Sequence, residues 1–169
     1  SISGDQILGG DGADTIRGAS GTGNAVSGDT LSGGGGADTI LGGTAGDVLF
    51  GNEGADTLNG ATGADAVFGG QGADQISGGS GDDVLAGGDG NDTLSGGDGD
   101  DALHGGDGAD VFDGGAGNDT FFVGDDDIVA QYDEGDVIRI EGVELDVSDF
   151  SMRTEGDTAY ISVDTDGDG

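Results

Sequence analysis

A chain of 169 residues with 43 glycines, 36 acidic side chains, three arginines and a formal charge of −33 is sized for one domain with a small appendage. It has no cysteine, which excludes disulfides and thiolate zinc sites, and its negative field and lack of lysine exclude a nucleic-acid binder. Composition alone reads as disorder, since low hydrophobicity with high charge buries too little to offset chain entropy, but the order of the residues overrides that reading.

Ser1 to Leu8 already sits in a register, with Asp5 and Ile7 where later units carry an aspartate and an apolar residue. The chain therefore starts inside a repeat and reads as a piece cut from a longer one. Gly9 to Arg17, GGDGADTIR, is a complete nine-residue unit. Gly18 to Ser32 spans fifteen residues, six more than one unit, and its last nine, NAVSGDTLS, keep Asp29 and Leu31 while losing the glycines. Gly18 to Gly23 is expected to be a loop insertion on one edge of the fold, leaving any cation site that touches it incomplete.

Gly33 to Phe122 is ten units without interruption: GGGGADTIL, GGTAGDVLF, GNEGADTLN, GATGADAVF, GGQGADQIS, GGSGDDVLA, GGDGNDTLS, GGDGDDALH, GGDGADVFD and GGAGNDTFF. The sixth residue is always aspartate and the eighth always apolar. Glycines at positions one, two and four suit positive φ and crowded carbonyls, so the first six residues are expected to turn. Positions seven to nine alternate polar, apolar, polar, as in a minimal strand with one inward side chain. One inward residue cannot close a core. Two units must face each other, so a coil takes eighteen residues and residue n stacks on n+18.

Position nine then yields two outward columns. Phe50, Phe68, Ala86, His104 and Phe122 form one, and Leu41, Asn59, Ser77, Ser95 and Asp113 the other. The aromatic column is expected either to stack strand upon strand or to be covered by the C-terminal segment, a neighbouring domain or a second copy. His104, alone and outward, reads as a surface residue.

Ten inward apolar side chains cannot offset the ordering of ninety residues, and stacked aspartates repel, so a cation is needed. Carboxylates and carbonyls are hard ligands, and a flexible cage of six or more oxygens suits calcium better than magnesium, which keeps its waters.

These units resemble the calcium-binding nonapeptides of the RTX, or repeats-in-toxin, family, G-G-x-G-x-D-x-U-x with U a large aliphatic residue. The resemblance implies an all-β fold: a right-handed parallel β-roll over residues 1–122, calcium between loops of adjacent coils, and a short, truncated β capping segment over 123–169. Asp38, Asp56, Asp74, Asp92 and Asp110 would line one edge and Asp47, Asp65, Asp83, Asp101 and Asp119 the other, with Asp14 and Asp29 ahead of them. Turn carbonyls would complete the shells, from Gly69, Gly70 and Gly72, Gly78, Gly79 and Gly81, and Gly87, Gly88 and Gly90. The later loops would offer Gly96, Gly97 and Gly99, Gly105, Gly106 and Gly108, and Gly114, Gly115 and Gly117. At position five, Asp82, Asn91, Asp100 and Asn118 would add oxygens or brace the turn. With each ion between loops n and n+2, the ten unbroken loops make eight sites, and eight divalent ions supply about half of the charge needed against −33.

Beyond Val123 the glycine period ends. IVAQYDEGDVIRIEGV has the alternation of a strand through Val137 to Ile140, and Ser151 to Thr154 with Thr158 to Val163 reads as a hairpin. The segment resembles the cap that follows RTX arrays, with Asp133 to Ile138 as the closing stretch and Asp127 or Asp136 helping to hold the last ion. A cap is needed because the final coil would otherwise expose Phe112, Phe121 and an unpaired sheet edge. Arg139 and Arg153 are expected to pair with carboxylates. Asp164 to Gly169 spells the first half of a calcium loop, a weak signal without its later acidic residue.

No apolar run is long enough for a membrane span or a signal peptide. The resemblance implies a calcium-folded module of a larger secreted protein, exported unfolded by type I systems of Gram-negative bacteria. Its alternatives are a calcium-dependent surface-layer or adhesin module, self-associating through the face of Phe50, Phe68 and Phe122, and a non-catalytic attachment of a secreted protease, lipase or alginate epimerase. The chain itself has no H-E-x-x-H and no G-x-S-x-G, so it is not expected to be an enzyme.

Overall fold

A computed structural model describes residues 4–18, 28–140, 150–155 and 158–163. Among them are seventeen strands, numbered along the chain, and no helix. The first sheet holds β1 (Gln6–Asp11), β3 (Thr30–Gly35), β5 (Val48–Glu53), β7 (Ala66–Gln71), β9 (Val84–Asp89), β11 (Ala102–Asp107), β13 (Thr120–Val123) and β15 (Val137–Ile140), in that order. The second holds β2 (Thr15–Arg17), β4 (Thr39–Thr44), β6 (Thr57–Thr62), β8 (Gln75–Ser80), β10 (Thr93–Asp98), β12 (Val111–Ala116) and β14 (Ile128–Gln131), then β17 (Thr158–Val163) and β16 (Phe150–Glu155). Odd strands on one side and even strands on the other make a parallel solenoid of about six turns, about eighteen residues to a turn.

The register carries the sequence period into space. Thr93 pairs with Gln75 on one side and Val111 on the other, each eighteen residues away. In the first coil the offset is larger: Gln6 faces Thr30 and Thr15 faces Thr39, twenty-four residues apart. The six extra residues thus leave the strand register intact on both sheets. The expected insertion at 18–23 itself lies outside the described residues, apart from Gly18.

Two expectations about the repeat need correction. Full strands cover six residues, positions seven to nine and one to three of the next unit, so the turn is only positions four to six. The glycines at positions one and two are strand residues that pair coil to coil, as Gly97 does with Gly115. Positive φ, moreover, belongs to positions two and four, as at Gly88 (117°) and Gly90 (132°), and not to position one. Ala61 at a second position (85°) and Ala45 at a fourth (100°) hold the same conformation without the freedom of glycine, so these irregular units carry backbone strain.

Alternation along each strand puts positions eight and one inward. Leu31, Leu49, Val67, Leu85, Leu103 and Phe121 from one sheet meet Ile40, Leu58, Ile76, Leu94 and Phe112 from the other in a single narrow core. Position-one glycines leave room for it: a Cβ on Gly105 or Gly114 would reach the ring tip of Phe112 or Phe121. Those two rings meet edge to face, 6.1 Å between centroids.

The roll does not stop with the glycine period at Phe122. Strands β14 and β15 extend both sheets in parallel, with Val129 buried and Ile138 and Ile140 partly buried against the core. On the second sheet β17 then adds antiparallel to β14, and β16 to β17, closing that edge with the expected hairpin. Among the described residues, the C-terminal hairpin therefore extends the polar sheet and is not paired onto the sheet that bears the aromatic column. The final residues, 164–169, lie outside the described residues.

The aromatic column exists, as stacked rings. Phe50 and Phe68 lie 5.2 Å apart at 12°, and His104 and Phe122 3.7 Å apart at 10°. Arg139 places its guanidinium 5.9 Å from the Phe122 ring centre, because the register puts it at the end of this column. The side chain of Arg153 lies outside the described residues.

Candidate metal centre

Each turn is built around the position-six aspartate. Its Oδ1 accepts the backbone N–H of the aspartate one coil earlier, so Asp74 receives from Asp56, Asp92 from Asp74 and Asp110 from Asp92, each at 2.8 Å. On the opposite edge Asp47, Asp65, Asp83, Asp101 and Asp119 are linked in the same way, at 2.6 to 2.9 Å. The first coil joins both ladders, Asp5 donating to Asp29 and Asp14 to Asp38. Two continuous ladders of aspartate thus run the length of the roll. A carboxylate is locked in place by one oxygen and leaves the other to a ligand.

That second oxygen is the unusual feature. The Oδ2 atoms of Asp14, Asp38, Asp47, Asp56, Asp65, Asp74, Asp83, Asp92, Asp101, Asp110 and Asp119 are buried with no hydrogen-bond partner. Each of the nine from Asp38 to Asp110 folds back beneath the position-one glycine of its own unit, where a Cβ would fall on the carboxylate; Asp92 lies under Gly87 and Asp101 under Gly96. A buried carboxylate oxygen without a partner is costly, so the ladder is incomplete as protein alone.

Main-chain carbonyls stack from coil to coil beside these ladders. The carbonyl of Gly70 points at the α-carbon of Gly88, that of Gly72 at Gly90, that of Gly79 at Gly97 and that of Gly81 at Gly99. Gly88 and Gly90 stand likewise under Gly106 and Gly108, and Gly97 and Gly99 under Gly115 and Gly117. A Cβ on any of these glycines would meet the carbonyl of the coil before it. Position-one glycines Gly69, Gly78, Gly87, Gly96, Gly105 and Gly114 hold the carboxylate pocket open instead. The same stacking begins earlier than expected from sequence, at Gly10 under Gly34 and Gly12 under Gly36, and continues at Gly36 under Gly54 and Ala45 under Gly63.

Position five braces the turn. Asp82 Oδ1 accepts from the N–H of Asp100 (3.1 Å), Asp100 from Asn118 (2.9 Å) and Asn91 from Ala109 (3.1 Å). Backbone and side-chain donation from Asn118 holds the Asp100 carboxyl below its ordinary value. Asp127 and Asp136 close the two ladders at a spacing of seventeen, accepting from Asp110 and Asp119. Their second oxygens accept from the N–H of Gly124 (2.7 Å) and Asp133 (2.8 Å). Protein donors take the place there that is open from Asp38 to Asp119.

Burial, opposed by the backbone hydrogen bond and reinforced by like charges along the ladder, pushes Asp74, Asp83, Asp101 and Asp110 from 3.8 to about 6. Asp47, Asp56, Asp65, Asp92, Asp119 and Asp127 are raised as well, again chiefly by burial. The metal-free roll therefore binds protons more tightly than the unfolded chain. Its stability is gained as pH falls from about 6 toward 3.8 and lost as pH rises through about 6. A cation needs the deprotonated form, so the loaded roll has the opposite slope. Thermal unfolding followed by circular dichroism should find the chelated chain most ordered near pH 4 and the calcium-loaded chain most ordered at pH 7, with the crossover near 6.

The donor set is all hard oxygen. Among the described residues no three His, Cys, Asp or Glu side chains gather into one cluster, and the candidate donors at each turn are single ladder carboxylates and main-chain carbonyls. That combination fits calcium, and magnesium and zinc fit it poorly. Fold and turns together define a cation-stapled parallel β-solenoid. The model of the RTX calcium-binding nonapeptide repeat matches residues 3–23 and, in overlapping segments, 27–127. The chain belongs to the RTX calcium-binding repeat family, and its repeats bind calcium. A search of curated proteins finds no match.

Proposed function

We propose that this chain is the calcium-folded module of a larger secreted protein, one that leaves a Gram-negative cell unfolded and winds into the roll outside. The observation that carries this reading is the double ladder of buried, unpartnered aspartate oxygens. Extracellular modules bind calcium at about 10⁻⁴ to 10⁻³ M, so a chain of this kind stays unfolded in cytosol, where free calcium is far lower, and is stapled on release. Binding free energy becomes folding free energy, which favours export in one direction.

Calcium supplies the positive charge and oxygen coordination that the turns lack. The aspartates hold it with Oδ2, the stacked carbonyls of positions two and four face the next coil, and the position-one glycines keep the space open. Ten unbroken loops, bridged n to n+2, are proposed to hold eight ions. The module is proposed as non-catalytic, because every aspartate with a raised pKa is a ladder member tied by Oδ1 to a backbone N–H. A second reading, calcium-dependent assembly at a surface, is favoured by the outward columns of the first sheet, which carry no carboxylate from Gln6 to Phe122.

Calcium titrated into chelated protein, followed by circular dichroism and by isothermal calorimetry, tests the first reading. A cooperative gain of strand signal with about eight ions bound, not reproduced by magnesium at equal concentration, is the expected result. A strand spectrum already complete in chelator refutes it.

A further inference from the structure

The outward residues of the two sheets differ in kind. On the second sheet positions seven and nine present Thr57 and Asn59, Gln75 and Ser77, and beyond them Asp113. On the first sheet the matching residues are Val48 and Phe50, Ala66 and Phe68, Val84 and Ala86, then Ala102 and His104. From Gln6 to Phe122 these two columns carry no carboxylate, in a chain with 36 acidic residues. Phe68 and Val84 are 37% and 45% exposed. The C-terminal hairpin extends the other sheet and covers none of this face.

We propose that the outer face of the first sheet docks a second copy of this chain, the two calcium-loaded rolls packing face to face as a sandwich. The inference rests on the calcium-folded reading, since the face exists only when the roll is wound.

Charge favours this occupant. At a formal −33, two copies meeting by their turn edges bring carboxylates together, whereas the sheet faces largely do not, and of the two faces this one carries the aromatic column. The nearest carboxylates, Asp11, Glu53, Asp89 and Asp107, stand at strand ends on the solvated rim. An anionic lipid surface would be repelled by the same net charge. A sugar platform needs open ring faces, and here the stacked rings of Phe50 on Phe68 and His104 on Phe122 cover each other and turn their rims outward.

Size and shape agree. Eight strands about 4.8 Å apart and five residues wide present roughly 34 by 16 Å, or about 1,100 Å² over two copies, the low end for a specific interface. Ala86 leaves a gap in the column between Phe68 and His104. A two-fold axis along the strands, midway between β7 and β9, sets Phe68 against that gap in the second copy and Val84 against Ala66. Large faces small at these two pairs, Phe50 meets His104 of the second copy farther out, and every contact occurs twice, as in an isologous interface.

Sedimentation of the full chain over a concentration series, in saturating calcium and again in chelator, tests this. The wild-type chain should pass from monomer to dimer in calcium only, and more readily at high salt, which screens the rim carboxylates. Val84→Asp, at an outward position, should keep the full calcium-induced strand signal while weakening self-association at least tenfold; Phe68→Ser should do the same. A folded chain that stays monomeric over the series, a dimer indifferent to both variants, or binding to neutral lipid vesicles that Val84→Asp abolishes would overturn the proposal. Absence of any calcium-induced strand signal would instead overturn the folding reading, and this one with it.

Discussion

Chelating calcium at neutral pH is expected to turn a protease-resistant roll into an unfolded chain that is digested throughout its length. Eleven ladder aspartates among the described residues keep a buried Oδ2 with no hydrogen-bond partner. An unsatisfied buried polar group costs about 1 to 3 kcal/mol, and more when charged, while a whole domain is stable by only about 5 to 15 kcal/mol. Even at the lower figure the eleven ladder oxygens cost about 11 kcal/mol, as much as a typical domain's whole margin. The core cannot compensate, because each unit adds a single buried apolar side chain. Limited proteolysis with and without chelator reads this directly, and comparable resistance in both would show that the protein interior balances its own charges.

Replacing Gly33 by alanine is expected to be severe, and replacing Gly35 by alanine nearly silent, although both belong to one run of four glycines. A Cβ on Gly33 would overlap the Asp38 carboxylate, reaching its Cγ at 2.8 Å and its Cβ at 3.0 Å. The ladder aspartate must then leave its place, which combines overpacking of about 1 to 3 kcal/mol with a damaged calcium site. Gly34 and Gly36 fail differently, with φ of 112° and 117° and backbone of the first coil against them. Gly35 has an ordinary φ and nothing nearer than 3.9 Å. Calcium-loaded melting points of Gly33→Ala and Gly35→Ala should differ by several degrees or more. Equal losses would mean that glycine serves chain flexibility here and not space.

The contrast shows how far one-dimensional reading carries. An invariant aspartate every nine residues, an apolar residue two positions later and glycines between are enough to predict the coil, its eighteen-residue stacking, the two ladders and the ion that suits them. These features are legible because each is local and repeated ten times, so chance variation at one unit is corrected by the others. The position-nine column was likewise visible as a spacing of eighteen. What the spacing left open was whether Phe50 and Phe68 stack on each other or are covered, and whether Asp82, Asn91 and Asp100 ligate or brace.

The linear pattern, then, determined the repeat unit, its period and the hard-oxygen chemistry, all consequences of residue type at fixed separation. Tertiary structure decided the rest. It assigned positions one to three to strands, because hydrogen bonds to the coils above and below hold glycines that would turn in isolation. It separated the glycines into those needing positive φ and those needing space, since the Asp92 carboxylate folds back on Gly87 only once both are packed. And it set the hairpin on the polar sheet and Arg139 above Phe122, because the edge on which a cap docks depends on which strand is left last and unpaired, and no local sequence encodes that.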